Sequence, residues 1–280
     1  MKRPATRKTR IQRAEAGRRQ ETSDLVAVEE PMEIQVVETR NGHEHAHSLS
    51  VTMRTPGDDF ALAAGFLFAE GILQDPQDFW RIEYCVPEEH DQEFNIVSVV
   101  LKESVALDLS RTIRSFYTTS ACGVCGKATL DAVKVRDPPP LPPDRPQVPE
   151  SLLPSWPKAL RGEQDVFDRT GGLHAAALFS EDGTLLSVHE DVGRHNAVDK
   201  LVGTQFMAGR LPRHDCAMLV SGRASFEILQ KALAAGIPFI AAVGAPSSLA
   251  VDLATEFGMT LVGFLRGDRF NVYTGSQRIL

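Results

Sequence analysis

Cys122 and Cys125 stand two residues apart in Ser120-Ala121-Cys122-Gly123-Val124-Cys125-Gly126-Lys127, a spacing that lets two sulfurs reach one reacting atom or one metal ion. Gly123 and Gly126 tolerate positive φ and carry no side-chain bulk, so a partner can approach either thiol closely. The thiolate is the nucleophile, and Lys127 with the short helix expected from Lys127 to Val135 would favour it. Such a pair suits transfer of sulfur or electrons, the second thiol resolving a mixed disulfide or relaying a sulfane sulfur. Two Cys are also half of a tetrahedral zinc site. No second Cys pair completes one, and the nearest His completion is His43, His45 and His47, which strand alternation puts on one side. The other two cysteines, Cys85 and Cys216, lie in strand-like, apolar stretches and are expected to be buried small hydrophobes.

Three loops further on carry polar groups where a strand gives way to a helix or turn. His189-Glu190-Asp191-Val192-Gly193-Arg194-His195-Asn196 is dense in titratable and cationic side chains, with Asp191, Arg194 and His195 the candidate ligands and Asp191 or Asn196 the alternative helix cap. Ser221-Gly222-Arg223-Ala224-Ser225 sets small residues and one Arg at a helix start, a turn that can bind an anion through Ser221, Arg223 and backbone N–H groups. Phe264-Leu265-Arg266-Gly267-Asp268-Arg269 adds two more Arg beside a Gly. With Ala245-Pro246-Ser247-Ser248 these loops could cradle a phosphate-bearing ligand, although no Walker or dinucleotide fingerprint is present.

The elements that must position these groups fall into two parts. Glu33 to Glu38 and His45 to Met53 alternate around Asn41-Gly42 and predict a hairpin; Phe60 to Leu67 predicts a helix behind Pro56 and Asp58. Strands are expected at Arg81 to Val86, Phe94 to Leu101 and Thr112 to Tyr117, the last leading into the two Cys. Seven prolines between Pro138 and Pro149 exclude helix and central strand and predict an extended polyproline linker. Beyond it, strands at Leu173 to Phe179, Leu185 to His189, Ala217 to Ser221, Phe239 to Val243 and Thr260 to Phe264 alternate with helices at Asn196 to Met207, Phe226 to Ala235 and Leu249 to Phe257. That order predicts an α/β unit with a mostly parallel sheet covered on both faces, its ligands bound outside the strand carboxyl ends. The expected organisation is a disordered basic tail over 1–22, an N-terminal α+β domain over 23–137 that holds the thiols, a linker over 138–149 and an α/β domain over 150–280.

The chain has 280 residues, 42% hydrophobic, and a formal net charge of −7, which argues against general nucleic-acid binding. The first twenty residues carry eight Lys or Arg against Glu15 alone and lack apolar periodicity, hence the expectation of a solvated tail. No stretch reads as a secretory signal or a membrane span, so the expected compartment is the cytoplasm, where a Cys pair means metal or catalysis rather than a disulfide framework.

The order of SACGVCGK after RTPGDDFALAAGFLFAEGI, followed by HEDVGRHNAVDK, SGRASFEILQKAL, GAPSSLAVDLA and GFLRGDRFNVYTG, resembles the formate dehydrogenase accessory sulfurtransferase family, FdhD, from about residue 31 to 275. The resemblance implies a carrier that receives sulfane sulfur from a cysteine desulfurase, holds it as a persulfide and passes it to bis(molybdopterin guanine dinucleotide), the molybdenum cofactor of the formate dehydrogenase catalytic subunit. It also implies a C-terminal cytidine-deaminase-like α/β fold without the deaminase zinc, and a homodimer. The missing H-x-E agrees with the absence of that zinc. By position, Cys122 is the candidate persulfide carrier and Cys125 its partner, the two roles being interchangeable. Phe264, Leu265, Arg266, Gly267, Asp268 and Arg269 match the segment that binds the cofactor, for which a guanine nucleotide would be a mimic. The family often has Ser where this chain has Ala121, which removes a hydroxyl donor to the thiolate. The rival readings are a cofactor-binding chaperone without sulfur turnover and a thioredoxin-type dithiol oxidoreductase, whose strand-to-helix context the Cys pair lacks.

Overall fold

A computed structural model of the chain describes residues 3–85, 94–105, 107 and 138–280. The thiols Cys122 and Cys125, the strand expected at Thr112 to Tyr117 and the helix expected at Lys127 to Val135 lie outside the described residues. Those residues form three sheets.

The first sheet corrects the expectation of a disordered tail over 1–22. Strands β1 (Thr6–Glu15) and β2 (Arg18–Ala27) pair antiparallel from Thr6 opposite Ala27 to Glu15 opposite Arg18. The turn between them is Ala16-Gly17, both at positive φ (48° and 80°), the combination a two-residue hairpin requires. Both faces of the ribbon's outer half meet water, so its cations stay hydrated and the missing apolar periodicity does not prevent pairing. Its root is pinned by Arg3, whose guanidinium donates to Glu30 and Asn95, and by Arg169, which donates to the Thr6 hydroxyl.

The second sheet has the order β4-β3-β6-β5, built from β3 (Glu30–Arg40), β4 (His43–Arg54), β5 (Phe79–Tyr84) and β6 (Ile96–Leu101). Asn41-Gly42 makes the expected turn, again with two positive φ values. Helix α1 (Asp59–Ala69) covers one face, where Met32, Ile34, Val36, Leu62, Leu67, Val97 and Val99 form a core. Cys85 follows the last residue of β5 and is exposed, whereas Cys216 is buried as expected. Strand alternation puts Cys85 on the outward side with Glu83. The His trio does not converge: His47 turns to the buried Glu38, at 2.8 Å, while His43 and His45 are exposed.

The third sheet runs β12-β11-β10-β9-β7-β8. Its strands are β7 (His174–Ser180), β8 (Leu185–Asp191), β9 (Cys216–Val220), β10 (Phe239–Ala242), β11 (Thr260–Arg266) and β12 (Arg269–Thr274). Only β9, β10 and β11 are mutually parallel; β7 runs against both β8 and β9, and β12 against β11. The expectation of a mostly parallel sheet is thereby corrected to a mixed one. Tight turns reverse the chain between β7 and β8 and between β11 and β12, and a hairpin can only be antiparallel. One face is covered by α4 (Arg194–Met207), α5 (Phe226–Ala234) and α6 (Ser248–Glu256), the other by α2 (Trp156–Gly162), whose Trp156 stacks on Phe179 at 4.6 Å between ring centroids. The short α3 (Asp165–Thr170) lies beside β2 and is held at its first turn by Glu190, which accepts from the N–H groups of Val166 and Phe167.

The proline-rich stretch is strapped to this third sheet. Arg278, fully buried, donates to the carbonyl oxygens of Pro142, Arg145 and Gly258 and to the Thr260 hydroxyl, while Val148 bridges to Ile279.

The two larger sheets meet through α1 and α4. A Cβ on Gly65 would stand 1.9 Å from the Asp199 carbonyl oxygen, and one on Gly203 would stand 1.9 Å from that of Ala61. Only hydrogen fits at either position, so the two helix backbones touch. Phe206 of α4 reaches into the core of the second sheet, its ring 5.0 Å from that of Phe68.

Candidate functional site

Strand direction decides which loops share an edge. Because β9, β10 and β11 are parallel and β7 opposes them, the ends of β8, β9, β10 and β11 and the start of β7 lie along one edge of the third sheet. That edge gathers Arg194, His195, Ser221, Arg223 and the segment Phe264 to Arg269. The three loops after β9, β10 and β11 are laced together: Gly244 N–H donates to Gly222 O at 2.8 Å and Phe264 N–H to Gly244 O at 3.0 Å. A Cβ on Gly244 would come within 2.8 Å of Gly222 O, so glycine is what permits this approach.

The N-termini of α4, α5 and α6 open on the same edge, with Gly193, Ser225 and Ser247 as their cap residues. Ser247 closes its helix by accepting from Ala250 N–H. The first-turn N–H groups and the positive end of each helix dipole favour an anion there. Arg223, Arg266 and Arg269 are exposed beside them, and Arg266 Nε is steadied by the Val243 carbonyl at 3.1 Å. Phe264 is an exposed aromatic held at φ 54°, a left-handed conformation that a bulky residue adopts only under constraint. Leu265, by contrast, is fully buried and belongs to the core, and Ser221 Oγ accepts from Ala175 N–H at 2.8 Å. Gly267 and Asp268 form the exposed turn into β12.

Asp191 is committed to partners within the fold. It is fully buried, and each carboxylate oxygen has two donors: Gly193 N–H and Asn196 Nδ2 on Oδ1, Thr55 N–H and Lys200 Nζ on Oδ2, all between 2.7 and 3.1 Å. Asn196 also donates to Met53 O and accepts from the Thr52 hydroxyl. Lys200 spends its other two protons on Thr55 O and Glu190 O. The cluster is a clasp between the end of β4 and the start of α4. Lys200 and Thr55 were not singled out from the sequence; the four-residue spacing of Asn196 and Lys200 on one helix face was the available signal.

His174 is the site residue that sequence reasoning missed. It begins β7 directly opposite Asp191, and its ring lies beside Gly222, Nδ1 standing 3.4 Å from where a Cβ there would be. Burial, with Arg194 nearby, lowers its pKa. Burial depresses His195 further, to about 3, helped by Arg194, Lys231 and His174. Its ring is fixed between Ser225 Oγ at 3.2 Å and Glu227 Oε2 at 3.5 Å. Glu227 in turn faces Lys231, which is buried against Asp199 at 2.6 Å; burial opposes the ammonium, but Asp199, Glu227 and Glu70 outweigh it and raise its pKa.

A His whose pKa drops on folding refuses a proton that the unfolded chain accepts. Stability is therefore full above the unfolded pKa near 6.5 and falls as pH descends toward about 3. Between pH 7 and 5 the expected loss is on the order of 1–2 kcal/mol. His195→Gln should flatten that part of the profile in urea unfolding at the two pH values, His174 supplying what slope remains.

Fold and edge together define an α/β protein with an anion-favouring rim on its six-stranded sheet, beside a clasp that joins β4 to α4. The FdhD/NarQ family model matches residues 27–280, and the chain belongs to that family. Sulfur carrier protein FdhD of Streptomyces coelicolor is 53% identical over 91% of this chain and 89% of its own length. The protein of the same name from Mycolicibacterium paratuberculosis is 48% identical over 98% of both. A crystal structure from Desulfotalea psychrophila, described as a candidate formate dehydrogenase accessory protein, superposes with a TM-score of 0.72 at 26% identity, covering 99% of this chain and all of that one. Among the described residues no helix is long and apolar enough to cross a membrane.

Proposed function

We propose that the chain is a sulfur carrier that loads sulfane sulfur onto Cys122 or Cys125 and delivers it to the molybdenum cofactor of formate dehydrogenase. The observation that carries this reading is near-full-length similarity to proteins named sulfur carriers, joined to a Cys pair two residues apart. In the loading step the Cys122 thiolate attacks the terminal sulfur of a cysteine desulfurase persulfide. A new S–S bond forms on Cys122, and the donor cysteine leaves as its thiolate. In the delivery step Cys125 attacks Cys122 Sγ; the terminal sulfur departs as sulfide to the acceptor, and the two cysteines are left as a disulfide. The sulfane sulfur gains two electrons and the thiol pair loses them, so a cellular thiol must reduce the pair before the next round.

The acceptor, bis(molybdopterin guanine dinucleotide), is the substrate of this step. Its phosphates suit the helix N-termini and Arg223, Arg266 and Arg269, and a purine can lie on Phe264. Binding the outer arms of the cofactor would orient molybdenum for the incoming sulfur. A homodimer, with each subunit carrying one such rim, belongs to the same proposal.

Intact-protein mass spectrometry of wild type, Cys122→Ala and Cys125→Ala after incubation with a cysteine desulfurase and cysteine tests it. The expected result is a reducible gain of one sulfur mass on wild type that disappears in one variant. No gain in any form, with the desulfurase demonstrably active, overturns sulfur carriage and leaves a cofactor chaperone.

A further inference from the structure

The ribbon β1–β2 lies almost wholly ahead of the stretch that the family model matches, which begins at residue 27, where β2 ends. Arg7, Lys8, Arg10, Arg13, Arg18 and Arg19 sit on it against Glu15, Glu21 and Asp24, in a chain of net charge −7. Strand register sorts these charges by face. Lys8 is opposite Leu25, Arg10 opposite Ser23 and Gln12 opposite Glu21, so these six point to one side, while Arg7, Arg13 and Arg18 point to the other. An open groove of ≈ 840 Å³ is lined chiefly from the first side, by Lys8, Arg10, Gln12, Glu21 and Ser23, with Ile11 and Thr22 of the other face contributing. The ribbon is a sheet of two strands only, so both outer edges keep backbone N–H and C=O groups without a strand partner among the described residues.

We propose that this groove and the free edge beside it dock an extended acidic segment of a protein partner. The segment adds as a third strand, with its carboxylates against Lys8 and Arg10. Free edges are templates for strand addition, in which main-chain bonds supply affinity and alternate side chains supply specificity. Glu21 inside the groove, with Glu15 and Asp24 on the other face, distinguishes a peptide from a polyphosphate. A nucleic-acid backbone in the groove would meet Glu21, which it cannot pair, whereas a peptide brings N–H donors that can. The ribbon's root gives the contact its use. β2 rests on α3, α3 is held by Glu190, and Glu190 precedes the clasp residue Asp191, so a partner caught by the ribbon is kept beside the candidate rim. Exposed charges of this kind accelerate encounter and are weakened by salt.

Fluorescence polarisation of a labelled, alternating Glu-Thr peptide of about 16 residues, titrated with the full chain, tests the proposal without any sulfur chemistry. Wild type is expected to bind, with affinity falling as salt rises from about 50 to about 300 mM. Lys8→Glu/Arg10→Glu should weaken binding at least about tenfold, and Arg13→Glu/Arg18→Glu less than about threefold, because only the former pair lines the groove. Should charge reversal unfold the ribbon, as read by circular dichroism, Lys8→Ser/Arg10→Ser carries the same test. Absence of binding by wild type, equal loss in both double variants, tighter groove-dependent binding of a DNA duplex, or a ribbon-dependent dimer in light scattering would each overturn it.

Discussion

Gly203→Ala is expected to cost about 3 kcal/mol or more of stability in urea unfolding. Alanine is the better helix former, so propensity alone would make the change favourable. The sign is reversed by what the new methyl meets: a carbonyl oxygen at 1.9 Å and the Gly65 nitrogen at 2.7 Å, both backbone atoms of α1 that no rotamer change can move. The helices must separate, and Phe206 is drawn from the core it shares with Phe68, Leu62 and Leu67. Gly65→Ala should behave likewise, since its methyl meets the Asp199 carbonyl. One separation relieves both clashes, so the double variant should lose clearly less than the sum of the two single losses. Strict additivity would mean that the helices do not touch as described.

Lys200→Met should cost about 3–5 kcal/mol, the usual consequence of leaving a buried charge without its partner. The ammonium offers three protons and the clasp supplies three acceptors, Asp191 Oδ2, Thr55 O and Glu190 O. Methionine fills much the same volume and donates to none of them. Lys200→Arg should recover little of the loss, because a planar fork cannot address three acceptors arranged around a point. Equilibrium unfolding of the three proteins checks the order. If arginine restored wild-type stability, charge alone would be at work and the geometry of the clasp would be irrelevant.

How much of this was readable in the sequence depended on the range of the cause. The Asn41-Gly42 hairpin was legible because turn chemistry is local. The ribbon β1–β2 was not, although Ala16-Gly17 provides the same kind of turn, because a run of cations hides the alternation that marks a strand. Strands β7 to β11 and helices α4 to α6 of the third sheet were legible from their apolar runs, whereas the mostly polar and exposed β12 and the short α2 were not. Their directions were not, since an apolar run reports burial and is silent on which way a strand points. Polar density at 189–196 marked the right edge, but the commitment of Asp191 depends on Thr55, 136 residues away, and no local pattern encodes that. His174 escaped as a single polar residue at the head of an apolar strand. Arg194, His195, Arg223 and Arg266 were brought to one edge as the α/β pattern implied, while Leu265 went to the core, as its apolar side chain demands.

The strap around Arg278 bears on the order in which the molecule assembles. Its bonds to Pro142 and Arg145 join positions more than 130 apart in the chain, as do the clasp's bonds to Thr52, Met53 and Thr55. Closing so long a loop is entropically unrewarded until the helices and hairpins on either side already exist. Strap and clasp therefore belong to the late, product-like side of the folding barrier, where lost interactions quicken unfolding and leave the folding rate nearly untouched. The persistence of the native state is thus governed by a few buried cations, while the speed of reaching it is governed by the local turns.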